Sequence, residues 1–324
     1  MPFTNPTPVV PRGPLSSWLL SPLSPAPAPE VDDGCGLSDD AQLALYLCYE
    51  LHYGDVPGLR VDSEWDPQVI AFRRSLEAAF LSALRRLVGS SVPQGPVSVV
   101  LPQLIDADDG PSISKHLVQR GTLDEMAEFL KHRSAYQLKE ADPHTFGIPH
   151  LRGRAKQLLA EIQAGEYGAD APDREMHSDL FAQTMRTFGL DDQPNAYLGE
   201  LPGTALMISN LISLFGLNRA YRGCLVGHLA VFEMTSVVPM GRYSRGLARM
   251  NAPQLAQRFY EVHVLADAEH ECLALEMASA LEAAEPHLRD DIIFGAQCVL
   301  ATERLFAERL FANWADSGFT SSAA

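Results

Sequence analysis

From Leu37 to about residue 315, apolar side chains recur every three or four positions, and runs alternating between apolar and polar residues are nearly absent. The one short exception is VSVVL at Val97 to Leu101. Alternation sends successive side chains to opposite faces of a sheet, whereas a period near 3.6 gathers them on one face of a helix. The chain therefore reads as all-α. Start and stop signals divide it. Ser38 precedes Asp39 and Asp40 at the head of LSDDAQLALYLCYELHY, Asp66 and Pro67 open a long run that stops at Gly89, and Thr122 stands before Asp124 and Glu125. Further helical runs cover roughly 149–164, 174–188, 199–216, 218–236, 252–286 and 288–315, while 90–112 reads as irregular. No internal repeat is visible.

Residues 1–36 differ in kind. Nine prolines between Pro2 and Pro29 prevent a sustained helix or ladder, so this segment is expected to be a mostly disordered tail, with SWLL at Ser17 to Leu20 a loose apolar patch rather than a docked one. Residues 37–316 are expected to form one helical domain and 317–324 a flexible C-terminus. With 46% hydrophobic residues the chain can bury a sizeable core. A net charge of −16 and a pI near 5.0 speak against nucleic acid and anionic membrane surfaces as partners. Five scattered cysteines without a CxxC pair suit a reducing compartment, and no apolar run reaches spanning length. The expected location is the cytoplasm, with no membrane association.

The stretch YEVHVLADAEH holds His263, Asp267 and His270. At about 100° per residue, Asp267 falls about 40° past His263 and His270 about 20° short of it, so the three share one helical stripe. Two imidazoles and a carboxylate suit iron, manganese or zinc, but a solvated or hydrogen-bonded polar face would look the same. Further candidates lie between Leu138 and His177. Glu140 closes one helical run and Glu166 the next, and an unbroken helix would hold His177 about 16 Å from Glu166. Gly168 and Pro172 break that helix and allow His177 to fold back. The alternative, a surface Glu166 with His177 packed in the following helix, stays open on these residues alone.

Taken together, Glu140, Glu166, His177 and the later HxxxDxxH resemble the heme-oxygenase-like diiron oxidases and oxygenases, in the branch of iron-containing redox enzymes. ELHYGD, KEADPHTFGIPHLRGRAKQLLAEIQAGEYG, MHSDLFAQTMRTFGL, GHLAVFEMTS and FYEVHVLADAEH extend the likeness over about residues 38–315. The resemblance implies a heme-oxygenase-like helical bundle. It also implies two irons, with Glu140 shared or bridging, Glu166 and His177 on one ion, and His263, Asp267 and His270 on the other. Glu233, thirty residues before His263, matches a further glutamate that some members recruit. Heme held by one histidine (His52, His116, His132, His144, His150 or His228) is a rival cofactor that would leave six ordered ligand matches accidental. No Glu stands three residues before a His, unlike the paired Glu-x-x-His of ferritin-like bundles.

The resemblance implies dioxygen as co-substrate, an external electron source, and a small-molecule substrate. N-oxygenation of an amine or amino-acid-derived metabolite in a biosynthetic pathway is the favoured reaction. Oxidative carbon–carbon cleavage of an amino or fatty acid on the same site, or a non-catalytic helical protein binding heme or a small molecule, are the alternatives. Arg152, Arg222 and Arg242 are candidates to seat a carboxylate-bearing substrate by bidentate pairing, though surface ion pairs explain them equally simply. A homodimer and a redox partner are further expectations.

Overall fold

Ser38 Oγ accepts from the Ala41 N–H at 3.2 Å and starts the helix Asp39–Glu50. Asp66 accepts from the Gln68 N–H and starts Pro67–Val88, which ends at Gly89 with φ 77°, a left-handed conformation suited to glycine. Thr122 and Glu125 form a reciprocal capping box at the start of Leu123–Gln137. The computed structural model describes residues 9–21, 27–54, 56–171 and 174–316. Its α-helices in chain order are α1 (Pro14–Leu20), α2 (Asp39–Glu50), α3 (Pro67–Val88), α4 (Val97–Asp106), α5 (Ile113–Gln119), α6 (Leu123–Gln137) and α7 (Asp142–Thr145). They continue as α8 (Gly153–Glu166), α9 (His177–Thr187), α10 (Gly203–Leu217), α11 (Arg222–Met234), α12 (Val237–Arg249), α13 (Gln254–Ala284) and α14 (Arg289–Asp316). No strand occurs among the described residues, and the all-α reading holds.

The two most apolar segments take the centre. Residues 203–216 of α10 and 223–231 of α11 are buried almost all round, as expected of helices without a polar face. α11 packs against α14 and α13, and α10 against α2 and α14. The long α13 then gathers α8, α9, α11 and α12 around itself, an arrangement that matters for the site below. Among the described residues, no single helix is long and apolar enough to cross a membrane.

Three expectations are corrected. The segment 90–112 is not irregular throughout: Val97, Val100 and Leu101 of its short alternating run are buried at helical spacing in α4, whose first N–H is held by Glu282 Oε2 at 3.1 Å. A helix also occupies residues left between the helical runs 218–236 and 252–286. α12 starts two residues before Pro239, and a proline in a first turn lacks only an N–H that would have no intrahelical partner. Its Gly246 lets it lie close on the Leu117 backbone of α5.

The third correction concerns the tail. Residues 9–21 and 27–36 lie against the body, and α1 is held by Asp40, whose carboxylate accepts the N–H groups of Leu15 and Ser16, each at 2.9 Å. Leu15 is buried, and the Trp18 ring packs on Phe72 with centroids 4.9 Å apart, so SWLL is docked. The expectations for residues 1–8, 22–26 and 317–324 lie outside the described residues, as does Pro172.

Candidate metal centre

Helix ends bring the candidate residues to the middle of α13. Glu140 sits in the turn between α6 and α7, Glu166 is the last residue of α8, His177 the first of α9, and Glu233 lies in the last turn of α11. The fold-back between α8 and α9 depends on Gly168, with φ 63° and a Cα so close to Glu175 that a Cβ would stand 2.8 Å from its carbonyl carbon. On α13 the stripe behaves as its angles require. His263, Asp267 and His270 are 3%, 2% and 6% exposed, whereas Glu261, Leu265 and Glu269 face outward.

Two groups of donor atoms result, each with all its atoms within 4.8 Å of one another. One comprises Glu140, Glu166, His177 and His263; the other comprises Glu166, Glu233, Asp267 and His270. All seven side chains are buried. His177 Nδ1 is 2.8 Å from Glu166 Oε2, and His263 Nε2 is 3.5 Å from Glu140 Oε2. His270 Nδ1 stands 3.4 Å from Glu166 Oε1, 3.6 Å from Glu233 Oε2 and 3.9 Å from Asp267 Oδ1.

This grouping differs from the one the resemblance implied. The carboxylate common to both donor groups is Glu166, and Glu140 falls in one of them. His263 sides with Glu140 and His177, and Glu233 completes the other group. Spacing along α13 could not show this, because the split depends on where α8 and α11 meet that helix.

Three buried polar atoms, Glu140 Oε2, His263 Nε2 and His270 Nδ1, have no hydrogen-bond partner although all face this cluster. Such orphans are costly unless something else engages them. His263 Nδ1 is 2.8 Å from the Phe259 carbonyl, which can only accept, so Nδ1 keeps a proton and Nε2 is the nitrogen turned to the cluster, able to ligate once its own proton leaves. Ser236 Oγ donates to Asp267 Oδ2 and steadies that carboxylate; no sequence signal singled out this serine.

Electrostatics point the same way. Burial lowers the pKa of His263 and His270, but the surrounding carboxylates, Glu140 for the first and Glu166 with Glu233 for the second, outweigh it and raise both to about 10. Burial, reinforced by Asp267 and Glu166, lifts Glu233 to about 8, and Asp267 is raised mainly by burial too. Burial also acts to raise Glu166, yet the charge and hydrogen bond of His177, with His270 and His263 close by, prevail and lower it. So many carboxylates in so little water are balanced by protons, which divalent cations would displace. The residues fit metal well: four carboxylates, Glu140, Glu166, Glu233 and Asp267, match the charge of two ferrous ions, and three imidazoles complete a donor set suited to iron.

The space beside the cluster, about 10 Å³, is bounded by Tyr136, Leu229, Phe232 and Met240. That is about one water's worth of room and not that of a macrocycle. Nearby, His144 Nε2 and His228 Nδ1 meet at 3.3 Å; burial lowers the pKa of both, His144 to about 4, so the pair is neutral.

A family model described as iron-containing redox enzyme matches residues 127–304, more than half of the chain and all seven cluster positions. The chain belongs to this family. It is thus an oxidoreductase of an iron-containing class, with the helical fold its sequence resembled. Comparison with curated proteins found no match.

The three arginines are not brought to the cluster. Arg152 is exposed at the start of α8, Arg222 pairs with Glu285 at the start of α11, and Arg242 lies half-buried on α12; none lines the cluster cavity.

Proposed function

We propose that the two donor groups hold two iron ions and that the enzyme uses dioxygen to oxidise a small metabolite, by N-oxygenation of an amine. The observation carrying this reading is Glu166, one buried carboxylate common to two four-residue donor sets. Glu140, Glu166, His177 and His263 would hold one iron, and Glu166, Glu233, Asp267 and His270 the other. When bound, the irons supply the redox chemistry that lets dioxygen react with a closed-shell organic molecule.

The chain's own residues prepare that chemistry. The Phe259 carbonyl fixes the tautomer of His263, and Ser236 fixes the Asp267 carboxylate. Tyr136, Leu229, Phe232 and Met240 keep bulk water from the cluster. The overall balance is a primary amine, dioxygen, two electrons and two protons giving a hydroxylamine and water, with the electrons from an external reductant such as a reduced flavin or iron–sulfur protein.

Oxygen consumption by the Fe(II)-loaded chain with reductant, followed by mass spectrometry of the amine, tests the reading. Amine-dependent uptake and a product one oxygen heavier are expected. A product shortened by a carbon fragment would replace N-oxygenation by carbon–carbon cleavage. Uptake unaffected by any amine, with no product, would remove the reaction altogether.

A further inference from the structure

A second cavity of about 210 Å³ adjoins the cluster and shares Phe232, Ser236 and Met240 with the small space beside it. Its far end reaches Asp108, Gly110 and Arg304 at the surface. It therefore extends from the surface toward the side of the cluster on which Ser236 holds Asp267, with Phe232 and Met240 between them. Its walls are chiefly apolar and aromatic, with Phe129, Val231, Phe232 and Tyr243 prominent. The volume is below the roughly 300–1,000 Å³ of drug-sized ligand sites, so its occupant is small.

Two residues lining this cavity, 5% and 1% exposed, each carry a buried, unpartnered polar atom, Gln137 its Oε1 and Tyr260 its hydroxyl. Each stands three residues before a cluster residue, Gln137 before Glu140 and Tyr260 before His263, which is about one helical turn, or ~5 Å. A buried amide oxygen needs a donor, and a buried phenol needs an acceptor for its proton.

The charged groups of the cavity, by contrast, are already engaged. Arg133 holds Glu303 bidentately at 2.8 and 2.6 Å, with its guanidinium over the Phe306 ring. At the rim Arg304 bonds Asp108 and Asp109. A carboxylate ligand would have to break a partly buried fork-to-fork pair, and an ammonium would find no free carboxylate along the described walls.

We propose that this cavity is the substrate pocket and that it selects a small, uncharged, largely apolar molecule whose N–H group donates to Gln137 Oε1 and whose nitrogen or carbonyl accepts from Tyr260. Weakly basic amines of the aromatic type, uncharged at neutral pH, meet the description. The proposal rests on the diiron reading for its chemistry, but binding can be measured without it, and it replaces the carboxylate-bearing substrate that the surface arginines suggested.

The test titrates aniline, toluene, benzoate and benzylamine into the full chain, with and without Fe(II), under anaerobic calorimetry. Aniline should bind about tenfold more tightly than toluene, the worth of one well-made hydrogen bond, and more tightly than either charged probe. In Gln137→Leu that preference should collapse toward unity. Tyr260→Phe should weaken aniline several-fold, and Leu300→Trp, which fills the wall away from the cluster, should abolish binding while leaving iron uptake unchanged. Benzoate binding as tightly as aniline, an aniline preference unaffected by Gln137→Leu and Tyr260→Phe, or no aniline binding to either form would overturn the proposal. Iron content measured on the same samples separates its failure from that of the diiron reading.

Discussion

At the scale of single residues, the site is a problem of charge in a dry place. Four carboxylates and three imidazoles are buried together, and without metal the arrangement holds protons on His263, His270 and Glu233 at neutral pH. Each of these groups must lose its proton to serve as a ligand. Raising the pH from about 6 to 8 approaches the raised pKa values from below, so less free energy is spent on deprotonation and metal affinity rises. The apparent Fe(II) association constant should increase by up to about tenfold per pH unit for each proton released, measured by anaerobic titration in buffers of different pH. A pH-independent constant would show that these groups are not the ligands. The stripe of His263, Asp267 and His270 was legible because helical angles alone fix it. Ser236 was not, because a serine reaching a carboxylate thirty-one positions away leaves no local pattern.

At the scale of elements, close approach decides what the sequence could not show. α8 and α13 meet at Gly165, where a Cβ would stand 2.6 Å from His270 Nε2 and 2.9 Å from its Cε1. Gly165→Ala should therefore push that imidazole off the Glu166–Glu233 group, lowering stability by about 1–3 kcal/mol and iron content by about half. Glu269→Gln, on the outward face of α13, should change neither, and iron analysis with thermal melting compares the two. Helix boundaries with a chemical marker, such as Ser38, Asp66, Gly89 and Thr122, were readable because caps act within four residues. α1, α4 and α12 were obscured by proline, whose cost depends on position within a helix rather than on its presence. α1 itself depends on Asp40. Asp40→Ala removes the acceptor for two backbone N–H groups and should cost about 1–3 kcal/mol, with faster amide exchange over residues 14–20 and none over α10. Unchanged exchange would mean that apolar contacts of Leu15 and Trp18 suffice to dock it.

At the scale of the whole molecule, packing turns separate motifs into a centre. Buried α10 and α11 fix the distances among the outer helices, and α13, contacting α8, α9, α11 and α12, receives a donor from three of their ends. The family resemblance implied six of the seven residues and Glu233 as an addition, whereas the residues alone left a polar helix face and a surface Glu166 open. It did not indicate that Glu166 would be the shared one, since that follows from the meeting of four helices brought together by long-range contacts. The central claim is that this shared carboxylate serves two metal ions. Anaerobic equilibrium dialysis with Fe(II) tests it most directly: the account predicts about two irons per chain in the natural protein, about one in Glu233→Ala, and loss of both in Glu166→Ala. A single iron in the natural protein, or two retained in Glu166→Ala, would contradict it.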